Sequence, residues 1–275
     1  MPGTARFSTV TITVCVAGAT GWTGRAVAAA VHEAPDLELR TAVSRGAAGA
    51  DLGAAWGGPA IGVPVHAKVA DALDGVDVLV DYTSHLAVLD HALAALARGV
   101  AVVVGTSGLT AEDFVRIAAA ADDAGVGVVA AGNFSLTAAM AQAAAVLVAP
   151  YLPHREIIDY ASAGKRDAPS GTARELAERL GGIGRTEPVV PIADTAGHPD
   201  ARGTTVAGTQ VHSLRLPSFV VSTEVVFALP DERLTLRHDA GPTPTPYVAG
   251  TLLAIRAVRE RRGLVRGLDT LLLGR

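Results

Sequence analysis

The chain has 275 residues, 49% of them hydrophobic and 18% charged, with a formal net charge of −4. That length suits one large or two modest domains with a substantial core, and the slightly acidic balance argues against electrostatic capture of nucleic acid. With one cysteine there is neither a disulfide framework nor a thiolate metal cluster, and the eight histidines show no metal-ligand spacing. Aromatic residues make up only 4%, so Ala, Val and Leu must build the core. Mean hydropathy is +0.35, yet Ala-rich stretches such as Ala138–Ala149 are shorter than the roughly 20 apolar residues a membrane helix needs. The apolar run Val10–Ala17 leads into a glycine motif rather than a cleavage site, so the expectation is a cytoplasmic protein without a membrane partner.

Val10–Ala17 reads as a strand buried on both faces, followed by a helix over Arg25–Glu33 and a strand over Leu37–Ser44. Val76–Tyr82, Val100–Gly105 and Val126–Ala131 repeat the strand pattern. Helical patterns at Leu86–Arg98 and Ala111–Asp123 separate them, the second opening on Thr110 as N-cap. This alternation predicts an α/β fold with a Rossmann-type, doubly wound parallel sheet.

The pattern changes after a helix at Ala138–Val148. Glu156–Ala161 reads as a strand and Ser170–Leu180 as a helix. Three strands then follow without intervening helices: Gly208–Leu216, Phe219–Ala228 and Leu234–His238, with Pro217-Ser218 as a turn. Phe219, Val221, Thr223, Val225 and Phe227 share one face of the second. These elements predict a central α+β domain with a mixed or antiparallel open sheet. Gly182–Gly208 is a long loop and a candidate lid. The proline run from Gly241 to Pro246 is expected to be extended, leading to an amphipathic helix at Tyr247–Arg262. The expected division is 1–133 with 243–275 as a dinucleotide-binding domain, and 134–242 for substrate binding and oligomerisation.

Gly18-Ala19-Thr20-Gly21-Trp22-Thr23-Gly24 follows the first strand and opens the first helix, the context a dinucleotide fingerprint requires. Gly18 permits the tight turn, Gly21 lets backbone approach a pyrophosphate, and Gly24 allows close helix–strand contact. The helix N-terminus offers its N–H groups to phosphate. At the end of the second strand, Ser44 and Arg45 stand where an NAD-selective site would carry a carboxylate, which favours NADPH over NADH. Arg25 either touches phosphate or faces solvent. Trp22 packs either over adenine or on the loop.

In Lys165-Arg166-Asp167-Ala168-Pro169-Ser170-Gly171-Thr172-Ala173, Ser170 is a good helix cap. The N–H groups around Gly171 and Thr172, two hydroxyls and Lys165 make a pocket suited to a carboxylate. The alternative is an ordinary cap. Cys15 reads as a small core residue.

With Val80-Asp81-Tyr82-Thr83, Val104-Gly105-Thr106-Ser107-Gly108 and Gly132-Asn133-Phe134-Ser135 between them, these motifs occur in an order that resembles the dihydrodipicolinate reductase family over essentially the whole chain. The resemblance implies a nucleotide domain formed by both chain ends, a central α+β domain, and a homotetramer or dimer joined through the central sheets. It implies hydride transfer from NAD(P)H to a cyclic imine dicarboxylate. It places Tyr82, Thr83, Gly105, Thr106, Ser107, Asn133 and Phe134 on the cofactor side, and Lys165, Ser170, Gly171 and Thr172 on substrate carboxylate.

The chain departs from the family's Glu-x-His-His-x-x-Lys strand, which here reads Asp159, Tyr160, Ala161, Ser162, Ala163, Gly164, Lys165. The family's proposed proton-donating histidine is absent, and an arginine near the second carboxylate is replaced around Thr243. Hydride delivery to a C=N or conjugated C=C carbon calls for a proton or a stabilising cation, and a placed general acid is worth roughly 10²–10⁴ in rate. Lys165 is the leading catalytic candidate and Tyr160 the second, with His212 a substrate-side candidate. These losses favour an NADPH-dependent reductase of a small carboxylated imine outside lysine biosynthesis. The alternatives are the lysine-pathway reductase itself and a catalytically silent cofactor-binding protein.

Overall fold

Strand and helix alternate through the first half of the chain. In the computed structural model, which describes residues 11–274, they are β1 (Ile12–Ala17), α1 (Trp22–Glu33), β2 (Leu37–Val43), α2 (Leu52–Ala55), β3 (Val65–His66), β4 (Val78–Asp81), α3 (Val88–Leu96), β5 (Ala101–Val104), α4 (Ala111–Ala124) and β6 (Gly127–Ala130). There follow α5 (Leu136–Val148), β7 (His154–Ala161), α6 (Gly171–Ile183), β8 (Thr204–Val206), β9 (Thr209–Arg215), β10 (Val221–Leu229), β11 (Glu232–Asp239), α7 (Thr245–Val258), β12 (Gly263–Arg266) and α8 (Leu268–Leu273). The described residues divide into two compact units, 11–130 with Thr251–Val265, and Ala131–Gly250 with 266–274.

The first unit carries a seven-stranded sheet in the order β12-β6-β5-β4-β1-β2-β3. β1 pairs in parallel with both β2 and β4, and β2–β3, β4–β5 and β5–β6 are parallel as well. The chain therefore winds one way from β1 and the other way from β4, a doubly wound sheet whose switch point lies between these strands. Val14, Cys15, Val16 and Ala17 are fully buried, as are Val78, Leu79 and Val80. Each buried Val or Leu contributes about 1.5–3 kcal/mol, so a core poor in aromatic residues is no handicap. Thr110 caps α4 through a reciprocal bond with Asp113, and Gly125 ends that helix at φ +67°.

The second unit carries a five-stranded sheet in the order β11-β10-β7-β9-β8. β7 pairs in parallel with β9, and the remaining neighbours are antiparallel. The sheet is thus mixed. Helices α5 and α6 share a core with Ile157, Val211, Val225 and Phe227 on one sheet face.

Several details differ from expectation. Val10 lies outside the described residues, and α1 begins at Trp22 because Gly21 serves as its N-cap. The Pro217-Ser218 turn does not join paired strands, since β7 lies between β9 and β10. Along β7, which takes the interior place, Arg155, Ile157, Asp159 and Ala161 are buried alternately on one face. The loop after α6 ends in β8, which pairs with β9. Thr245 and Pro246 belong to α7, where a first-turn proline sacrifices no helical hydrogen bond. That helix stops at Val258, and the strand β12 follows. Helix α8, unannounced by the sequence pattern, belongs to the second unit, where it meets α5, although residues 243–275 were expected in the nucleotide domain.

Candidate functional site

In the first unit, the loop after β1 turns at Gly18, whose φ is +83°. A side chain there would collide with the Tyr82 carbonyl, and one at Gly24 would collide with the Gly18 carbonyl. Gly21 has more room, with the nearest atom 3.2 Å from an added Cβ. The first and third glycines therefore let β1, α1 and the chain after β4 approach closely. The exposed second leaves backbone uncovered at the start of α1, a cradle suited to a pyrophosphate. The Thr20 and Ser44 hydroxyls hydrogen bond at 2.7 Å, joining this loop to the end of β2. Arg45 is exposed in the next turn and makes no ion pair among the described residues.

Arg25 is held on protein. Its Nη2 donates to the Trp56 carbonyl at 3.1 Å and its guanidinium lies 5.8 Å from the Trp56 ring centroid. The Trp56 indole N–H in turn donates to the Ala19 carbonyl at 3.0 Å, bracing the glycine loop. Sequence reasoning missed Trp56, which sits among small residues with no periodicity; the rarity of tryptophan was its only signal. Trp22 is 53% exposed at the start of α1, and Thr23 is half-buried beside it.

At the end of β4, the Asp81 carboxylate is buried and organises two loops. Its Oδ1 accepts from Thr83 N at 3.0 Å, the Thr83 hydroxyl at 2.7 Å and the Thr106 hydroxyl at 2.6 Å. Its Oδ2 meets His91 Nδ1 at 2.7 Å. Thr106 also accepts from Thr83 N, so the segments after β4 and β5 are tied together. Any side chain at Gly105 would strike the Tyr82 ring, whose hydroxyl meets Thr251 Oγ1 at 2.7 Å. Ser107 is exposed just beyond. Neither Asp81 nor His91 was singled out for a role, because a buried carboxylate and a helix histidine leave no local pattern.

Asn133 and Phe134 belong to the second unit, apart from the other cofactor candidates. Asn133 Oδ1 accepts from Ser135 N at 2.8 Å, and Phe134 is 2% exposed.

Also in the second unit, Ser170 caps α6 by accepting from Ala173 N, while its own N–H donates to buried Asp159 at 2.8 Å. The same carboxylate oxygen accepts from Ser213 and from Arg215 Nη2 at 2.9 Å. Arg215 reaches the Asp167 carbonyl too, so the segment leading into α6 is fastened to β7 and β9. The N–H groups of Gly171 and Thr172 have no partner among the described residues and can receive an anion. Thr172 Oγ1 donates to the Gly132 carbonyl at 3.0 Å, so its hydroxyl is already engaged. Lys165 Nζ pairs with Asp167 at 2.8 Å, at the start of the same segment.

The other two candidates lie elsewhere. Tyr160 alternates with Asp159 along β7 and so points to the opposite sheet face. There its hydroxyl donates to Glu224 at 3.1 Å, Arg237 lies 4.8 Å from its ring centroid, and Phe219 packs at 5.0 Å. Burial, then the bond to Glu224, push its phenol above the usual tyrosine range. His212 pairs in register with Ile158 and shares that face, its Nε2 bound to Glu156 at 2.7 Å. It lines a cavity of about 710 Å³ with Arg202, Val189 and Val226. Neither ring shares the sheet face of Asp159, which corrects their assignment beside the carboxylate pocket.

Among the described residues, no cluster of three or more His, Cys, Asp or Glu side chains is arranged to hold a metal ion, and no helix is long and apolar enough to cross a membrane.

Family models described as dihydrodipicolinate reductase, N-terminus, and dihydrodipicolinate reductase, C-terminus, match residues 12–134 and 132–272. The 4-hydroxy-tetrahydrodipicolinate reductase of Thermosynechococcus vestitus is 39% identical over 268 residues, covering 95% of this chain and 97% of that protein. Its counterpart from a Cyanothece species is 38% identical, covering 95% and 98%. A dipicolinate-bound dihydrodipicolinate reductase from Paenisporosarcina sp. TG-14 superposes with a TM-score of 0.75 at 28% identity, covering 94% of this chain and 99% of that one. An amine dehydrogenase from Mycobacterium smegmatis, with a TM-score of 0.65 at 16% identity and covering 92% and 94%, shares the fold alone. Matched along nearly its whole length, the chain belongs to the dihydrodipicolinate reductase family, NAD(P)H-dependent oxidoreductases acting on C=N or C=C bonds.

Proposed function

We propose that this protein reduces 4-hydroxy-tetrahydrodipicolinate, with NADPH preferred over NADH. The observation that carries the reading is the first turn of α6, where Gly171 and Thr172 present N–H groups with no partner among the described residues beside a capping serine. Such a turn binds a carboxylate through aligned donors and the helix dipole. The relatives matched along their whole length carry this activity in their names, which weighs against the non-lysine substrate that the missing histidines favour.

The nucleotide fits the first unit. Gly18, Gly21 and the start of α1 would take the pyrophosphate, Thr20, Ser44 and Arg45 the ribose phosphate, and Tyr82, Thr83, Gly105, Thr106 and Ser107 the nicotinamide end. The reduced nicotinamide supplies the hydride. Ser170, Gly171 and Thr172 orient the substrate carboxylate, and Lys165 Nζ, the ammonium at the head of that segment, stabilises developing charge or gives up a proton.

Loss of NADPH absorbance on adding 4-hydroxy-tetrahydrodipicolinate tests this reading, and Lys165→Ala should lower kcat while sparing NADPH affinity. A second reading, another carboxylated imine, is favoured by the absence of any imidazole over residues 159–165. Turnover of other cyclic imines but not of the lysine precursor would establish it. Cofactor binding with no turnover of either would overturn both. Self-association through the sheet face bearing Tyr160, Phe219 and Glu224 belongs to the same proposal, and sedimentation of the purified protein tests it.

A further inference from the structure

Glu175 lies one turn beyond Thr172 on α6 and is 6% exposed. Its Oε2 accepts from Gly132 N, while the Thr172 hydroxyl donates to the carbonyl of the same residue at 3.0 Å. One helix thus grips both backbone polar groups of one glycine. The fit leaves no space for a side chain at position 132, where an added Cβ would lie 2.7 Å from Glu175 Oε2 and 2.8 Å from the Gly171 carbonyl.

Glu175 makes no ion pair within 4 Å among the described residues. The charged groups facing it are Arg179 on α6, Asp269 on α8 and Arg266 before that helix. Arg179 is engaged by Asp269 through two bonds of 2.6 Å, and Arg266 pairs with Glu178 at 2.9 Å. Glu175 Oε1 is buried with no hydrogen-bond partner among the described residues. Arg179 and Arg266 favour the charged form, but burial outweighs them, so a carboxylate here is only partly compensated and costs more than a neutral acid.

We propose that Glu175 is a neutral carboxylic acid that positions the Gly132–Ser135 loop on the first turn of α6. Its Oε2 accepts from Gly132 N and its proton resides on the other oxygen. Because Gly171 and Thr172 occupy that turn, Glu175 is a positioning residue for the carboxylate pocket, an extension that rests on the function proposed above. Burial pushes the carboxyl above the usual glutamate range, in keeping with this state.

The test compares wild type, Glu175→Gln and Glu175→Ala in thermal unfolding from mildly acidic to alkaline pH, and in binding of pyridine-2,6-dicarboxylate. Glutamine keeps the acceptor oxygen and cannot ionise. Relative to Glu175→Gln, wild type should lose Tm progressively as pH rises above the ordinary glutamate range. Glu175→Ala should weaken dicarboxylate binding about tenfold by leaving Gly132 N unpaired, and Glu175→Gln should restore it. Parallel Tm profiles for wild type and Glu175→Gln would overturn the neutral acid. Equal loss of binding in both variants, or none in Glu175→Ala, would overturn the positioning role. If wild type binds no dicarboxylate, the functional reading and the positioning role fall together, while the unfolding comparison still decides the protonation state.

Discussion

Arg215 Nη2 donates to Asp159 Oδ2 at 2.9 Å, and that oxygen also accepts the backbone N–H of Ser170, the cap of α6. The entry to the first turn of α6 is therefore held by a carboxylate that is wholly buried and that pairs with one guanidinium among the described residues. Arg215→Ala strands that charge, and removing one partner of a buried pair costs about 3–5 kcal/mol. Urea unfolding should show the loss, and Arg215→Lys should recover only part of it because lysine cannot reproduce the forked geometry.

The three fingerprint glycines should respond unequally to alanine. Gly18→Ala meets both a positive φ and the Tyr82 carbonyl, and Gly24→Ala meets the Gly18 carbonyl, whereas Gly21→Ala meets only a 3.2 Å contact. Thermal unfolding without ligand should rank Gly18 and Gly24 well below Gly21. NADPH titration should still register Gly21→Ala, through crowding of the pyrophosphate cradle.

Arg45 is the exposed cation at the end of β2. A charge-assisted hydrogen bond to a ribose phosphate is worth about 1.5–3 kcal/mol, so Arg45→Ala should cut the NADPH-over-NADH preference by about tenfold or more. The ratio of kcat/KM for the two coenzymes is the measurement, and an unchanged ratio would remove Arg45 from the site.

Tyr160 and His212 are engaged by Glu224 and Glu156 on the sheet face opposite Asp159. Tyr160→Phe and His212→Gln should therefore leave kcat within about twofold of wild type, far short of the 10²–10⁴ expected on losing a general acid. Steady-state kinetics on the two variants checks this.

Cys15 is fully buried in β1, and burial pushes its thiol up to about 12. The raised value favours the protonated form in the fold. That contribution is complete below the pKa of an unfolded thiol and fades as pH climbs through the folded value. A thiol reagent at mildly alkaline pH should label Cys15 only after denaturant is added, as mass spectrometry would show.

The parallel sheet was legible because β1, β4, β5 and β6 are continuous apolar runs, and because Thr110 and Ser170 announce their helices. The glycine loop was legible because three glycines at that spacing have few other uses. The partners that hold these parts were not. Trp56 reaches Ala19 across 37 residues of chain, and Asp81 reaches His91 across 10 and Thr106 across 25, and single contacts of that kind leave no periodic trace. The face of His212 follows from its register with Ile158, which the sequence does not spell out, whereas Tyr160 falls opposite Asp159 by strand alternation alone. The turn at Pro217-Ser218 left strand pairing open for a related reason: turn residues mark a change of direction without naming the neighbour.

The contact between Gly105 and the Tyr82 ring binds two distant positions into a single evolutionary choice. An aromatic at 82 forbids any side chain at 105, so a bulkier residue there becomes tolerable only after the ring has shrunk. Lineages that descend from this architecture should keep glycine at 105 wherever an aromatic stands at 82, and an engineer enlarging the loop after β5 must begin at the end of β4.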